Sequence, residues 1–251
     1  MSEFITSSKL NEFPGVKVVM STRDFGNQSF QHPSISEKET IQNRNRFFSE
    51  KKINPKAIVN VGLNHGNNIY WTEKGDRGKG ALDKETIISN HDGLVSSDRN
   101  VFLMVTIADC FPVFYYDPIN CCIGLVHAGW RGILKGIVEK PIEIMKKNSG
   151  SNSNKIAVFI GPGIHSCHFE VSDDIANQFE ERFESNIVDN TKNRKFVDLT
   201  VAIKYQLELS GIKPNNIEIA PECTYCSDSM LSSYRRDKDD YVAQAAIIGM
   251  I

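Results

Sequence analysis

Apolar residues fall along the chain in short runs rather than in one long repeat. Val16-Lys17-Val18-Val19-Met20, Ala57-Ile58-Val59-Asn60-Val61, Val101 to Ile107, Val113-Phe114-Tyr115-Tyr116, Cys122 to Val126, Ala157-Val158-Phe159-Ile160 and Ile217-Glu218-Ile219 are rich in β-branched and aromatic side chains and predict strands. Other segments carry the helical period. Ser36 to Glu50 turns Ile41 and Phe47 inward. Trp130 to Lys147 repeats apolar residues at Ile133, Ile137 and Ile144. Leu199 to Leu209 is similar, with Gly211 as its C-cap, and Asp173 to Phe183 starts from a cap at Ser172 or Asp173. The polar stretches 73–80 and 148–154 predict exposed loops, and neither is long enough to be an interdomain linker. Strands and helices alternate irregularly. Val101 to Val126 reads as consecutive strands joined by short turns, one of them at Asp117-Pro118. The pattern predicts an α+β fold: a single domain over 1–251, a layered α/β sandwich with mixed β-sheets rather than a regular βαβ array.

Composition narrows the function classes. The 251 residues hold 29 Lys plus Arg against 31 Asp plus Glu, so the chain lacks the basic excess of a nucleic-acid or membrane-surface binder. No apolar run approaches the roughly 20 residues that cross a bilayer. Met1 to Thr6 has no basic stretch followed by an apolar core, so no secretory leader is expected and a cytoplasmic location is predicted. Disorder is expected at most in the first few residues. Six Cys in a reducing compartment are expected to be thiols or ligands rather than disulfides.

The candidate chemistry gathers at strand ends. His65 follows Val59-Asn60-Val61, Cys110 follows Met104 to Ile107, and His127 ends the run from Ile123. Two imidazoles and one thiolate are a donor set that zinc accepts, with a fourth position left open in catalytic sites. No local spacing links the three, so a hydrogen-bonded structural His and a buried apolar Cys remain the alternative. Gly66 and Gly129 follow two of the candidates and would let the backbone turn away. Arg131 falls in the first turn of the helix predicted after His127, where free N–H groups and a guanidinium can hold an anion. Asp109 adjoins Cys110 and could orient a ligand or carry a proton; neighbours on a strand face opposite ways, so both line one site only if a turn intervenes. Glu170, beside His168, could serve as a general acid or base or only in an ion pair, and Trp130 could stack a flat aromatic ligand or anchor the core. Cys223 and Cys226 have the two-residue gap of a redox or metal pair but no matching second pair, and read as unrelated thiols. Cys121-Cys122 reads as strand interior.

Eight short motifs occur in one order along the chain: Thr22-Arg23, Asn43-Arg44, His65-Gly66, Asp92-Gly93-Leu94-Val95, Ala108-Asp109-Cys110-Phe111-Pro112-Val113, His127-Ala128-Gly129-Trp130-Arg131-Gly132, Gly161-Pro162-Gly163-Ile164 and Ser233-Tyr234-Arg235-Arg236. Together they resemble the YfiH-type laccase-domain family of zinc-dependent purine nucleoside enzymes, over nearly the whole chain. The resemblance implies a YfiH-like fold and zinc on His65, Cys110 and His127. It implies phosphorolysis of adenosine and inosine to base and ribose 1-phosphate, with deamination of adenosine and cleavage of methylthioadenosine beside it. Purine nucleosides and phosphate would be the partners, and no nucleic acid or membrane. Arg131 and Asp109 would be catalytic, and Arg44, Arg235 and Arg236 further candidates for substrate or phosphate. Two departures stand out. Leu63 occupies a position where the family usually has Gln, and Asp239-Asp240-Tyr241 replaces a usual Thr-Gly-Arg.

Other readings stay open at this level. Cys110 as nucleophile with His127 as base would make a Cys-His hydrolase. Copper can occupy a His2Cys set, because the affinity order places it above zinc, but six His in all are too few for a multicopper phenol oxidase. A metal-binding protein without turnover is the third alternative. The sequence does not decide the quaternary state.

Overall fold

Strands buried on both faces read as near-continuous apolar runs, and the runs identified above build the centre of this molecule. The computed structural model describes residues 4–183, 187–190 and 194–251. Residues 1–3, where disorder was expected, lie outside the described residues. Two six-stranded mixed sheets lie face to face. The first has the order Phe4–Ile5, Val16–Ser21, Gln244–Met250, Val101–Ile107, Ile58–Gly62, Ile88–Ser89. The second runs Ile217–Ile219, Ala157–Ile160, Phe111–Asp117, Cys122–Ala128, Gly93–Ser96, Ile69–Trp71. Glu170–Val171, Lys195–Val197 and Val188–Asp189 form a third, smaller sheet.

Period-two alternation sorts each strand between two cores. Val101, Leu103, Val105 and Ile107 meet Phe114, Tyr116, Ile123 and Leu125 between the sheets. Met104 and Phe102 point the other way, onto Phe47 and Phe48 of the helix Glu37–Glu50. Val113, Tyr115 and Val126 pack beneath Ile133, Met145, Phe179 and Ile203 of the helices outside the second sheet. The order of layers is helix, sheet, sheet, helices, which is the layered α+β architecture read from the sequence. Among the described residues no helix is long and apolar enough to cross a membrane.

Four details differ from the sequence reading. The helix expected over Trp130 to Lys147 is two, Trp130–Leu134 and Lys140–Ser149. Gly136 between them has φ +79°, and Pro141 stands in the first turn of the second, where a missing N–H costs nothing. Val101–Ile107 and Phe111–Asp117 are not neighbours in one sheet; the chain passes from the first sheet to the second through Ala108-Asp109-Cys110, and Asp109 makes the corner with φ +80°. Gln244–Met250 lies between Val16–Ser21 and Val101–Ile107, antiparallel to both. Its sequence mixes Ile247 and Ile248 with Ala245, Ala246 and Gly249, residues depleted in strands, and no strand was predicted there. The helix Leu199–Leu209 has the expected bounds, but Ser210 is its cap and Gly211, with φ +91°, lies one residue beyond.

Arg44 ties the outer helix to the first sheet's surroundings. Its side chain is completely buried. The guanidinium donates to Gln28 O through Nε (2.7 Å) and Nη2 (2.5 Å), and through Nη1 to Gly80 O (2.6 Å) and Ala81 O (2.8 Å). It also lies 4.0 Å from the centroid of the Phe30 ring. No carboxylate pairs with it among the described residues, so carbonyl dipoles and the Phe30 ring face compensate its burial. Arg44→Ala takes the guanidinium donors from Gln28 O and Ala81 O, while Gly80 O keeps Asn60 Nδ2 at 3.4 Å, at about 1–3 kcal/mol for a buried unsatisfied group. The expected result is a drop in Tm of roughly 6–12 °C, taking about 3 kcal/mol at 2–4 °C per kcal/mol. A thermal melt of the variant checks it, and Arg44→Lys should recover little because an ammonium lacks the planar fork.

Candidate active site

The crossing between the two sheets brings His65, Cys110 and His127 together. Each stands just past or at the end of a central strand: Ile58–Gly62, Val101–Ile107 and Cys122–Ala128. Their ligand atoms lie within 4.8 Å of one another. The two imidazole rings are perpendicular at 89°, with centroids 4.9 Å apart. His127 is buried, Cys110 half-buried and His65 exposed, so the group is closed on the protein side and open outward.

Asp92 organises the group. It directly precedes the strand Gly93–Ser96, and its carboxylate is fully buried. Oδ1 accepts from His127 Nδ1 at 3.0 Å and from the His65 backbone N–H at 2.9 Å. Oδ2 accepts from the Gly66 N–H at 2.7 Å. Burial opposes the ionised carboxyl, but the His127 bond and charge and the two backbone donors outweigh it, and the carboxyl titrates below its ordinary value. Nδ1 of His127 is thereby committed to the carboxylate, which leaves Nε2 as its ligand atom.

Space and backbone shape explain the glycines. His65 itself, not a glycine, takes the left-handed turn, with φ +57°. Gly129 is extended, at φ −81° and ψ 162°. A Cβ there would stand 2.9 Å from Cys110 Sγ and 3.5 Å from carbons of both imidazoles. The turn expected at Gly129 is therefore absent, and the residue is small because the three donors leave no room for a side chain.

Electrostatics couple Cys110 to His127. Burial pushes the Cys110 thiol up, but the charge of His127 and hydrogen bonds from both imidazoles bring it down to about 6. Burial lowers His127, and the Cys110 thiolate and Asp92 more than restore it, to about 10. The stack Asp92, His127, Cys110 is thus a carboxylate, an imidazole and a thiolate in hydrogen-bonded order.

The cluster forms part of the wall of a cavity of about 570 Å³. Trp130, Phe169, Tyr234 and Tyr241 supply aromatic surface, and Arg131 and Arg235 supply charge. Arg131 is exposed, lies 4.2 Å from the Trp130 ring centroid and pairs with no carboxylate among the described residues. The short Trp130–Leu134 helix gives it little of the dipole expected from a long one. Asp109 and Cys110 both line the cavity because of the positive-φ corner. Asp109 has both carboxylate oxygens occupied: Oδ1 accepts from Thr224 Oγ1 at 2.6 Å and Oδ2 from the Arg235 N–H at 2.7 Å.

Other sequence candidates fall elsewhere. Arg44 lies in the helix-to-sheet packing already described and does not line the cavity. Arg236 binds the carbonyls of Thr224, Tyr225 and Leu231 and the carboxylate of Asp237. Glu170 is at the surface, 3.3 Å from Arg194. Cys121 sits in the hairpin turn with φ +48° rather than inside a strand, while Cys122 begins the strand and its thiol is pushed up to about 11 by burial. All six Cys are free. Cys223 and Cys226 are not unrelated thiols: Cys167 and His168 join them in a second four-residue group whose ligand atoms also lie within 4.8 Å. Leu63 lines the cavity, and its backbone N–H and C=O are both held by the Gln31 side-chain amide (2.9 and 3.0 Å). The sequence reading assigned no role to Asp92, although it opens one of the eight motifs, Asp92-Gly93-Leu94-Val95. Thr224 and Gln31 had none.

The chain is similar to known proteins over most of its length. A family model described as multi-copper polyphenol oxidoreductase laccase matches residues 21–251. The chain is 29% identical over 229 residues to a Bacillus subtilis protein named purine nucleoside phosphorylase YlmD, covering 87% of this chain and 80% of that one. It is 31% identical over 189 residues to the Geobacillus stearothermophilus protein of that name, covering 74% of this chain and 69% of the relative. The crystal structure of the Bacillus licheniformis hypothetical protein YfiH superposes with a TM-score of 0.93 at 27% identity, covering 100% of this chain and 97% of that one.

In protein stripped with a chelator, the Cys110–His127 pair sets a pH profile. Alkylation of Cys110 by iodoacetamide, followed by peptide mass spectrometry, is expected to stay on its plateau at pH 7 and fall as pH drops through about 6. His127→Ala should move the inflection up, toward or above the ordinary thiol value of about 8.5. An inflection near that value in the unmutated chain would mean that the pair does not form.

Proposed function

The chain belongs to the multi-copper polyphenol oxidoreductase laccase family, and on that premise we propose that it is a zinc-dependent purine nucleoside phosphorylase. Adenosine and inosine are its substrates and ribose 1-phosphate and the free base its products, with adenosine deamination and methylthioadenosine phosphorolysis as further activities in the cytoplasm. The observation that carries this reading is a three-donor Cys/His group opening into a cavity lined with aromatic rings and an unpaired arginine. The name purine nucleoside phosphorylase, borne by the relatives, supports it.

The donor set fits zinc. Two imidazoles and one thiolate leave a position open toward the cavity, the arrangement of catalytic rather than structural sites. The charges also balance, since the thiolate of Cys110 and the carboxylate of Asp92 together match a divalent cation. Asp92 holds His127 as outer carboxylates hold metal-bound imidazoles. Bound there, zinc would supply Lewis acidity at the cavity wall.

This chain's residues do the rest. Arg131 binds phosphate bidentately and holds it against the anomeric carbon, neutralising charge as the glycosidic bond lengthens. Trp130 braces its guanidinium from one side. The rings of Phe169, Tyr234 and Tyr241 flank the base and exclude water. Asp109 is a positioning residue: Thr224 and Arg235 fix its carboxylate, and it fixes the corner that presents Cys110.

The hydrogen-bonded order Cys110, His127, Asp92 also suits a Cys-His hydrolase, and this is the second reading. His65 argues against it, because a nucleophile needs one base and not two imidazoles around its sulfur. A phenol oxidase would need more His than the two here.

Incubation with adenosine, with and without phosphate and chelator, followed by liquid chromatography, tests the proposal. Adenine formed only with phosphate and lost with chelator is the expected result; turnover that survives metal removal would indicate the hydrolase. Arg131→Ala should raise KM for phosphate roughly thirty-fold, from about 2 kcal/mol for a charge-assisted bond. Asp92→Asn should weaken metal binding by about 10–100-fold in a chelator competition while the protein stays folded.

A further inference from the structure

Two turns carry the second group of thiols, and Thr224 in one of them donates to Asp109. Cys223 and Cys226 present their sulfurs from one tight turn, in which the N–H groups of Cys226 (3.1 Å) and Ser227 (3.0 Å) both reach Cys223 O. Cys167 and His168 come from the turn that follows Gly161-Pro162-Gly163, where the N–H groups of His168 and Phe169 both reach His165 O at 3.0 Å. We propose that Cys167, His168, Cys223 and Cys226 form a second, structural binding site for a thiophilic divalent cation of the zinc class.

The distances carry the argument. Cys167 Sγ lies 3.7 Å from both Cys223 Sγ and Cys226 Sγ. A tetrahedron with metal–sulfur bonds of about 2.3 Å has edges of about 3.8 Å, so the sulfurs already stand where such an ion would hold them. His168 Nδ1 lies 3.2 Å from Cys167 Sγ and 3.4 Å from Cys226 Sγ, close to the sulfur–nitrogen edge of the same figure. The imidazole is fixed by stacking on Tyr225, with centroids 3.9 Å apart and planes at 13°. His165 N–H points at Cys223 Sγ from 3.4 Å, a donor of the kind that stabilises a ligating thiolate. Arg235 and Arg236 bind the carbonyls of His168, Thr224 and Tyr225, and their charge offsets that of three thiolates around one dication.

All four positions are filled by protein, so this site is closed, in contrast to the open group at His65, Cys110 and His127. Closed four-ligand sites stabilise folds rather than turn over substrate. The ion would staple turns 56 residues apart in sequence. Thr224, inside the Cys223–Cys226 turn, donates to Asp109, and the staple would therefore steady the corner beside the open site.

Metal content is the test, and it is independent of any nucleoside turnover. The full chain carrying His65→Ala and His127→Ala, loaded with zinc and desalted, is expected to retain one ion per chain by elemental analysis. X-ray absorption should show three sulfurs and one nitrogen around it. Adding Cys167→Ser and Cys226→Ser should remove that ion. If the fourfold variant does not fold, the absorption spectrum of the double variant still decides, because its second group is intact. The proposal is overturned if the double variant holds no ion, if its ion has another ligand set, or if peptide mapping finds a disulfide among Cys167, Cys223 and Cys226.

Discussion

A single buried carboxylate holds the two sheets in register where they cross. Asp92 directly precedes a strand of the second sheet, accepts from the turn that leaves a strand of the first, and accepts from a histidine on the strand beside it. The His127 N–H also donates to Asp92 O at 2.7 Å. A carboxylate without these donors would be too costly to bury; with them it fixes the left-handed turn at His65, the orientation of the His127 ring and the separation of the sheets at that end. Its depressed pKa gives the linkage a sign. The stability it contributes is present above the unfolded carboxyl value of about 3.9 and is lost as pH falls through the lower folded value.

The layered fold was legible because burial on both faces writes itself into sequence as uninterrupted apolar runs. Val101–Ile107 and Ala157–Ile160 have the predicted bounds for that reason. Gln244–Met250 is equally buried, but Ala245, Ala246 and Gly249 interrupt its apolar run between two bulkier neighbours, and packing space rather than propensity decides it. The break at Gly136 and Pro141 was visible in the residues and was overridden by the period of Ile133, Ile137 and Ile144. Sheet membership was not legible at all. Nothing in the run from Val101 to Val126 distinguishes a hairpin corner from the corner at Asp109 that changes sheets.

The site was legible in part, and the boundary has a physical cause. His65, Cys110 and His127 could be named because each sits where an apolar strand ends, and that context is local. The residues that hold them act across long sequence separations. Thr224 reaches Asp109 over 115 positions, and Asp92 reaches His127 over 35. Arginines were the hardest to place. Arg44, Arg131, Arg235 and Arg236 share one chemistry in the sequence, yet the first is enclosed by carbonyls, the last is locked to Asp237, and only the middle two face the cavity.

Two groups built from the same donor types differ in what surrounds them. The first lies where two sheets diverge: Gly129 removes a side chain, the Asp109 corner turns Cys110 outward, and one side stays open to the cavity. The second gathers three thiols and one imidazole from two turns, with their donor atoms within 4.8 Å of one another. Asp109 stands between them, with Thr224 and Arg235 on its carboxylate and Cys110 as its chain neighbour. Strain at φ +80° in a non-glycine residue persists only when its surroundings over-determine it. Here the surroundings are Thr224 Oγ1 and the Arg235 N–H on its carboxylate and the Ile164 N–H on its carbonyl, so the turn between Cys223 and Cys226 and the helix Tyr234–Asp237 together hold the corner that presents Cys110.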